Sequence, residues 1–391
     1  LAISLVECSD VSILVGECFL NRLLFVVNEP STFVSHRLPI ALAARGAGYE
    51  VHVATRAGAA VEKIKESGLF YHEIPLNRRG GNPFEELHTL AVLVGLMRKL
   101  RPSLVHLITI KPVLYGGIAA RLCGVTSVVA AVTGLGPAFT ARGGLAALRR
   151  AIVVFLYRRA FVHPKFRAIF QNSADFDTIN GYVHMAPDDV VMIPGSGVDL
   201  SKYPETPEPA GIPTVVLASR LVQDKGIDIF VDAARILKER GVEVRCQVAG
   251  ETDGPGSIDE AVLERWREEK CVEFLGFRSD IPDLFAGANI VTLPSSYGEG
   301  LPKVLLEAAA AGRAIVTTDH PGCRDAIIPD ETGLLVPVRD PQALASAISE
   351  LVENPARRIE MGQAARKLAH ERFGVDRVVN THLDIYNTLT D

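Results

Sequence analysis

Two carboxylates eight positions apart, Glu299 and Glu307, lie in the stretch SSYGEGLPKVLLEAAAAG (295–312). An apolar run, ANIVTLP, precedes it, and the alanine-rich end reads as a helix. The order is strand, glycine turn, helix. Gly298 and Gly300 let the backbone turn tightly and come close to a ligand. Pro302 suits the first helical turn, where its missing N–H has no partner to lose. The free N–H groups and the dipole at that end favour an anion, phosphate above all. Glu299 sits outside the helix end and Glu307 about 8 Å further along the axis. Carboxylates accept strong, charge-assisted bonds from hydroxyl groups. A diphosphate at the helix mouth with sugar hydroxyls on one side and ribose hydroxyls on the other fits both. Taken singly, Glu299 reads rather as an exposed turn residue and Glu307 as an ordinary helix carboxylate; it is the pair that favours a ligand. A second feature points the same way. VVLASRLVQDKG ends a strand with Arg220 and places Lys225 five residues on, two cations suited to neutralising a diphosphate. Pairing of Arg220 with an acid such as Asp224 is the structural alternative.

The elements that must position these groups alternate along the chain. RLLFVV (22–27), a helical HRLPIALAARGAG and EVHVAT (50–55) open one series, which continues through SLVHLIT, YGGIAARLCG and SVVAAVTG. After residue 205 the rhythm restarts with TVVLASR, GIDIFVDAARILKERG and EVRCQVAG. It continues through VEFLGF, IPDLFAGA, NIVTLPS, VLLEAAAAG and AIVTTD. Strand, helix, strand argues parallel sheets covered on both faces, and two series argue two doubly wound α/β domains facing a cleft. YPETPEPAGIP (203–213) is the expected linker. No P-loop and no G-x-G-x-x-G fingerprint occurs, which removes support for nucleoside-triphosphate and nicotinamide chemistry.

Composition sets the frame. The 391 residues are 48% hydrophobic and 22% charged, ordinary for a soluble globular chain. Six scattered cysteines without zinc spacing fit a reducing compartment. No apolar run reaches the length of a spanning helix. Residues 1–20 lack a basic n-region and carry Glu7, Asp10 and Glu17. They read as an upstream extension, with the fold starting near Asn21. The net charge of −5 is unevenly spread. Between Glu86 and Asp175 there is no acidic residue but 12 lysines and arginines, leaving 29 basic against 46 acidic residues elsewhere. That asymmetry suggests an anionic partner for this half; a solvated basic face is the alternative.

From Thr214 to Asp340 the chain resembles the C-terminal half of family 4 glycosyltransferases with the GT-B fold. The motifs are SRLVQDKG, VAGE, TGLLVPVRDPQALASAI and the long run from FLGFRSD through SSYGEGLPKVLLEAAAAG to HPGCRDAI. A weaker likeness covers the first half, in LLFVVNEPSTFVSHRLPIALAARGAGYEVHVAT and IPGSGVDLSKY. The resemblance implies an acceptor-binding Rossmann-like domain over 21–205 and a nucleotide-sugar domain over 206–370. It implies a C-terminal helix over 371–391 that packs back on the first domain. It implies that Glu299 meets donor-sugar hydroxyls with Gly298 and Gly300, and that Glu307 holds the ribose. Arg220 and Lys225 would bind the diphosphate with the backbone N–H groups of Leu301 and Lys303, and Phe277 and Arg278 would flank uracil. On the acceptor side it sets His36 and Arg37 at the start of the first helix, facing the donor. Two departures stand out. The loop after the first strand is NEPSTF, without the family's glycine pair. In LVHLITIKP, His106 fills the first of two histidine positions but Ile108 the second; Lys111 is a candidate to fill the space, and a structural His106 is an equal reading.

The activity implied is a retaining transfer of a hexose or N-acetylhexosamine from a UDP-sugar to a polyprenyl-diphosphate-linked or lipopolysaccharide acceptor. Neither metal nor cofactor is expected, and the cations would stabilise departing UDP. The arginines 149, 150, 158 and 159, set among apolar residues, fit either a surface helix docked on anionic lipid or a core helix with solvated arginines. The expected place is the cytoplasm, at the inner face of the plasma membrane, with no nucleic-acid partner. Two rivals stand: a sugar-nucleotide-binding protein without activity, and a sugar-nucleotide 2-epimerase of similar architecture.

Overall fold

The structure, a computed structural model, describes residues 21–76, 82–135, 139, 143–252, 256–296 and 298–391. Residues 1–20 and Arg142 of the basic segment lie outside the described residues. The first sheet has seven strands: β1 (Arg22–Val27), β2 (Glu50–Thr55), β3 (Phe70–Glu73), β4 (Leu104–Ile108), β5 (Ser127–Val132), β6 (Lys165–Phe170) and β7 (Val190–Met192). Their order is β3-β2-β1-β4-β5-β6-β7. The second has β8 (Thr214–Ala218), β9 (Arg245–Ala249), β10 (Glu273–Gly276), β11 (Ile290–Leu293), β12 (Ala314–Thr318) and β13 (Gly333–Val336), in the order β10-β9-β8-β11-β12-β13. Adjacent strands pair in parallel throughout, with β1 in register with both β2 and β4. Such sheets are buried on both faces, which is why β1, from Leu23 to Val27, is unbroken apolar sequence at 0% exposure. In each sheet the order reverses beside the first strand of its series, and the loops at the carboxyl ends of the two sheets meet across a cleft.

The chain crosses between the domains twice. The first crossing runs through Ile193–Tyr203. The second brings the helix Val375–Thr390 back onto the first domain. The crossings are bonded to each other: Val198 N–H donates to Phe373 O at 2.8 Å and Val375 N–H to Val198 O at 2.9 Å. Gly197, at φ +75°, is required there, since a Cβ would stand 2.7 Å from Val375 Cα. The final helix buries Val378, His382, Ile385, Tyr386 and Leu389, one helical stripe, against the Leu38–Gly46 helix and β4–β6. The proline-rich linker is pinned by its side chains. Glu208 pairs with the nearly buried Arg358 at 2.9 Å and accepts from Asn289 Nδ2 at 3.0 Å.

Candidate active site

The glycine turn between β11 and the helix Lys303–Ala310 carries both glutamates. Pro302 stands one position outside the first turn expected for it, as an extended N-cap. It offers no capping side chain; Leu305 N–H bonds back to Pro302 O at 3.0 Å, and the N–H groups before it are left open to a ligand at the helix mouth. Glu299 Oε1 accepts from Lys225 Nζ and, at 3.2 Å, from Ser295 Oγ. The Lys225 and Glu299 side chains are 16% and 17% exposed. Lys225 reaches Glu299 because Gly226, at φ +72°, lets the loop after β8 lie against Pro294; a Cβ there would stand 2.2 Å from Pro294 O. Arg220, at the end of β8, is half-buried, and its side chain has no partner among the described residues. Glu307 lies on the second helical turn, 3.7 Å from Lys303 Nζ. Burial raises its carboxyl above the ordinary range, against the lowering effect of Lys303 and the Tyr203 hydroxyl.

Opposite stands the first domain. Pro30 opens the helix Pro30–His36, and Pro39 bars it from running on, because its ring excludes a bond to the carbonyl four residues back. That carbonyl belongs to Ser35, and Lys303 Nζ reaches across the cleft to donate to it at 2.9 Å. His36 and Arg37 therefore lie at the end of the first helix, not at its start as the sequence suggested. His36 Nδ1 is 2.8 Å from Ser196 Oγ. Burial, with the charges of Lys303, Arg37 and Lys225, lowers its imidazole to about 3, so it stays neutral and is a weak base. Arg37 does not face the donor. It is 2% exposed, turned into the core beside Tyr386, and burial lowers it to about 10.

His106 is a further correction. It sits mid-strand in β4 at 0% exposure, on the face covered by the final helix, with Nδ1 2.6 Å from the Tyr386 hydroxyl. Burial holds it well below the usual imidazole value. It belongs to the core and touches no acceptor. Lys111 pairs with Glu86 at 2.7 Å, both about four-fifths buried. Phe277 is 66% exposed and Arg278 pairs with Asp280, on the loop after β10, three strands from β11.

Several contacts were not foreseen. Leu301 N–H does not point free at the helix mouth: Gln171 Oε1 accepts it at 3.1 Å. Asn172 Nδ2 donates to Gly300 O at 2.9 Å. Both residues follow β6 and come from the other domain. The only signal in the sequence was a polar QNS closing the apolar KFRAIF. Among the described residues no three His, Cys, Asp or Glu side chains gather as a metal site.

Two Rossmann-like sheets whose carboxyl ends confront a cation-lined helix mouth define a GT-B type of protein. The family comparisons agree with that geometry. Residues 22–162 match the model described as "Glycosyl transferase 4-like" and residues 212–354 the one described as "Glycosyl transferases group 1". The chain belongs to the family 4 glycosyltransferases and is a glycosyltransferase. It is 27% identical, over 94% of its length and 98% of the relative's, to the N,N'-diacetylbacillosaminyl-diphospho-undecaprenol alpha-1,3-N-acetylgalactosaminyltransferase of Campylobacter jejuni. Its fold is similar to that of Anabaena HepE, solved in complex with UDP. There the TM-score is 0.75 at 21% identity, covering 94% of this chain and all of that one. It is similar also to WaaG, a glycosyltransferase involved in lipopolysaccharide biosynthesis, at TM-score 0.70 and 16% identity, over 92% and 99% of the two chains.

Proposed function

We propose that the protein transfers a hexose or N-acetylhexosamine from a UDP-sugar to a polyprenyl-diphosphate-linked or lipopolysaccharide acceptor, with retention and without a metal. The observation that carries this reading is the pairing of charges around one helix mouth. Lys225 with Glu299 stands on one side and Lys303 with Glu307 on the other. A UDP-sugar laid across it sets its diphosphate against Lys225, Arg220 and the uncapped N–H groups. Its ribose falls to Glu307 and its sugar to Glu299. The names of the relatives support the acceptor class: the Campylobacter enzyme's is an undecaprenol diphosphate, and another relative, from Staphylococcus aureus, is a capsular polysaccharide glycosyltransferase.

In this mechanism the cations stabilise the negative charge growing on departing UDP. The acceptor hydroxyl attacks the oxocarbenium-like sugar from the face that UDP leaves, and its proton passes to the leaving phosphate. Neutral His36 supports that route. An imidazole held near 3 takes up no proton at neutral pH, so it serves as a hydrogen-bond partner for the acceptor. The helix Gly144–Ala160 exposes Leu148, Ile152 and Phe155 beside Arg149 and Arg159, a surface suited to anionic lipid at the inner membrane face. No helix among the described residues is long and apolar enough to cross a membrane.

The test is Glu299→Gln, assayed by UDP release with UDP-sugars and polyprenyl-diphosphate sugars, with EDTA present throughout. The wild type is expected to turn over and the variant to lose turnover far more than UDP affinity. Full turnover in a folded variant removes Glu299 from the sugar site. A wild type silent in EDTA and revived by manganese overturns the metal-free route.

A further inference from the structure

The turn that carries Glu299 is gripped from both domains. From its own domain, Gly322, at φ +83°, presses against it so closely that a Cβ would stand 2.4 Å from Gly300 O and 2.5 Å from Glu299 O. From the other domain, Gly134, at φ +119°, meets Gly298 O, with room for no more than 3.0 Å between that oxygen and a Cβ. Gln171 then accepts the Leu301 N–H at 3.1 Å. Asn172, 2% exposed, donates Nδ2 to Gly300 O at 2.9 Å and to Glu299 O at 3.3 Å. The same Asn172 caps its own helix, Ser173–Val183, by accepting Asp175 N–H at 2.8 Å. The backbone from Glu299 to Leu301 is thereby held by side chains that cross the cleft, and Gly134 packs against the turn just before it.

We propose that Gln171 and Asn172 are positioning residues for transfer: they bond to the backbone around Glu299 and set its carboxylate at the donor sugar only when the two domains are closed. This rests on the reading of Glu299 as the sugar-side carboxylate. In an open form the carbonyls of Glu299 and Gly300 and the N–H of Leu301 turn to water. A hydrogen bond exchanged with water has a small net free energy, so the grip closes and releases at little cost. The nucleotide lies outside it, because Arg220 and Glu307 belong to the second domain; Lys303 is the contact that also reaches the first, at Ser35 O. Donor-sugar alignment therefore depends on closure, and UDP binding does not.

The experiment uses the full chain. Asn172→Ser keeps a good helix cap but is too short to reach Gly300. Gln171→Met keeps the volume and loses the acceptor, and Gln171→Glu restores an acceptor. For Asn172→Ser and Gln171→Met, kcat is expected to fall about tenfold to hundredfold, the scale of a misplaced reacting group. UDP affinity by calorimetry should stay within about twofold, and Gln171→Glu should recover most of kcat, as one hydrogen bond restored requires. If UDP affinity falls in step with kcat, the residues merely glue the domains and the inference fails. Wild-type kcat in both variants beside a crippled Glu299→Gln also overturns it, and leaves the function standing. Wild-type turnover in Glu299→Gln sinks the functional reading itself and this inference with it.

Discussion

Asp175→Asn isolates the cost of a buried carboxyl beneath the domain contact. Asp175 is 6% exposed, in the first turn of the Ser173–Val183 helix. Burial raises its carboxyl to about 6, helped by Asp325 and opposed by the Asn172 hydrogen bond and His320. An unfolded aspartate titrates near 3.9. The folded protein thus holds the proton more tightly. The stability that the neutral carboxyl contributes is fully present below about pH 4 and is lost as pH rises through 6. A gap of two units amounts to about 3 kcal/mol, or roughly 6–12 °C in the melting temperature of a domain this size. Asparagine keeps an acceptor for Asn172 and has no charge to bury. Thermal melts of wild type and variant in parallel, from pH 4 to pH 8, read the difference directly. The variant is expected to match wild type near pH 4, gain between pH 4 and 6, and hold its advantage above. A difference that stays flat across that range refutes the argument, because the carboxyl then titrates alike in both states.

Three other outcomes follow from the site. Glu307→Ala should weaken UDP in calorimetry by about 2–4 kcal/mol, the worth of one or two bonds to a charged acceptor; unchanged affinity detaches it from the ribose. Arg220→Ala should weaken UDP at least tenfold more than uridine, since a charge-assisted bond to phosphate is among the stronger kind; equal losses make Arg220 a support for the fold. Replacing Ile152 and Phe155 by Ser, or Arg149 and Arg159 by Gln, should reduce co-sedimentation with anionic vesicles at low salt and leave UDP binding intact. Each arginine near such a surface contributes about 1 kcal/mol and each buried apolar side chain about 2 kcal/mol. A wild type that ignores the vesicles overturns the docking surface.

Much of the architecture was legible because buried parallel strands leave an unmistakable trace. RLLFVV, EVHVAT and AIVTTD are apolar runs between helical patterns, and the structure makes each a strand. FYHE of β3 was not legible: it is an edge strand of four residues, exposed at both ends and carrying two polar side chains. β7, at the opposite edge, escaped because three apolar residues, Val190–Met192, are too few to show a period. Within the site, Glu299 and Glu307 stood out because they share one turn and one helix, so their spacing along the chain is their spacing in space. Their partners were hidden. Lys303 to Ser35, Gln171 to Leu301 and His36 to Ser196 join residues more than a hundred positions apart, and no local periodicity records such contacts. Arg37 and His106 misled for a different reason. A polar residue in a sheet or at a helix junction can be sealed by an element that arrives much later, here the Val375–Thr390 helix.

That late arrival bears on how the protein is made. Tyr386 bonds to His106 across 280 residues of chain, and Ser127 Oγ to Leu389 O across 262. A ribosome that has finished the whole first sheet has not yet reached the helix that covers it. One face of β4, β5 and β6 must wait, bare and apolar, while the second sheet is synthesised and folds. Domains usually fold in order of emergence; here the first to emerge is the last to be finished. A fragment ending in the linker keeps every strand of the first sheet but leaves that face open to chaperones or to another copy. Shortening the distal end of the chain, far from any sugar or phosphate, would damage the beginning.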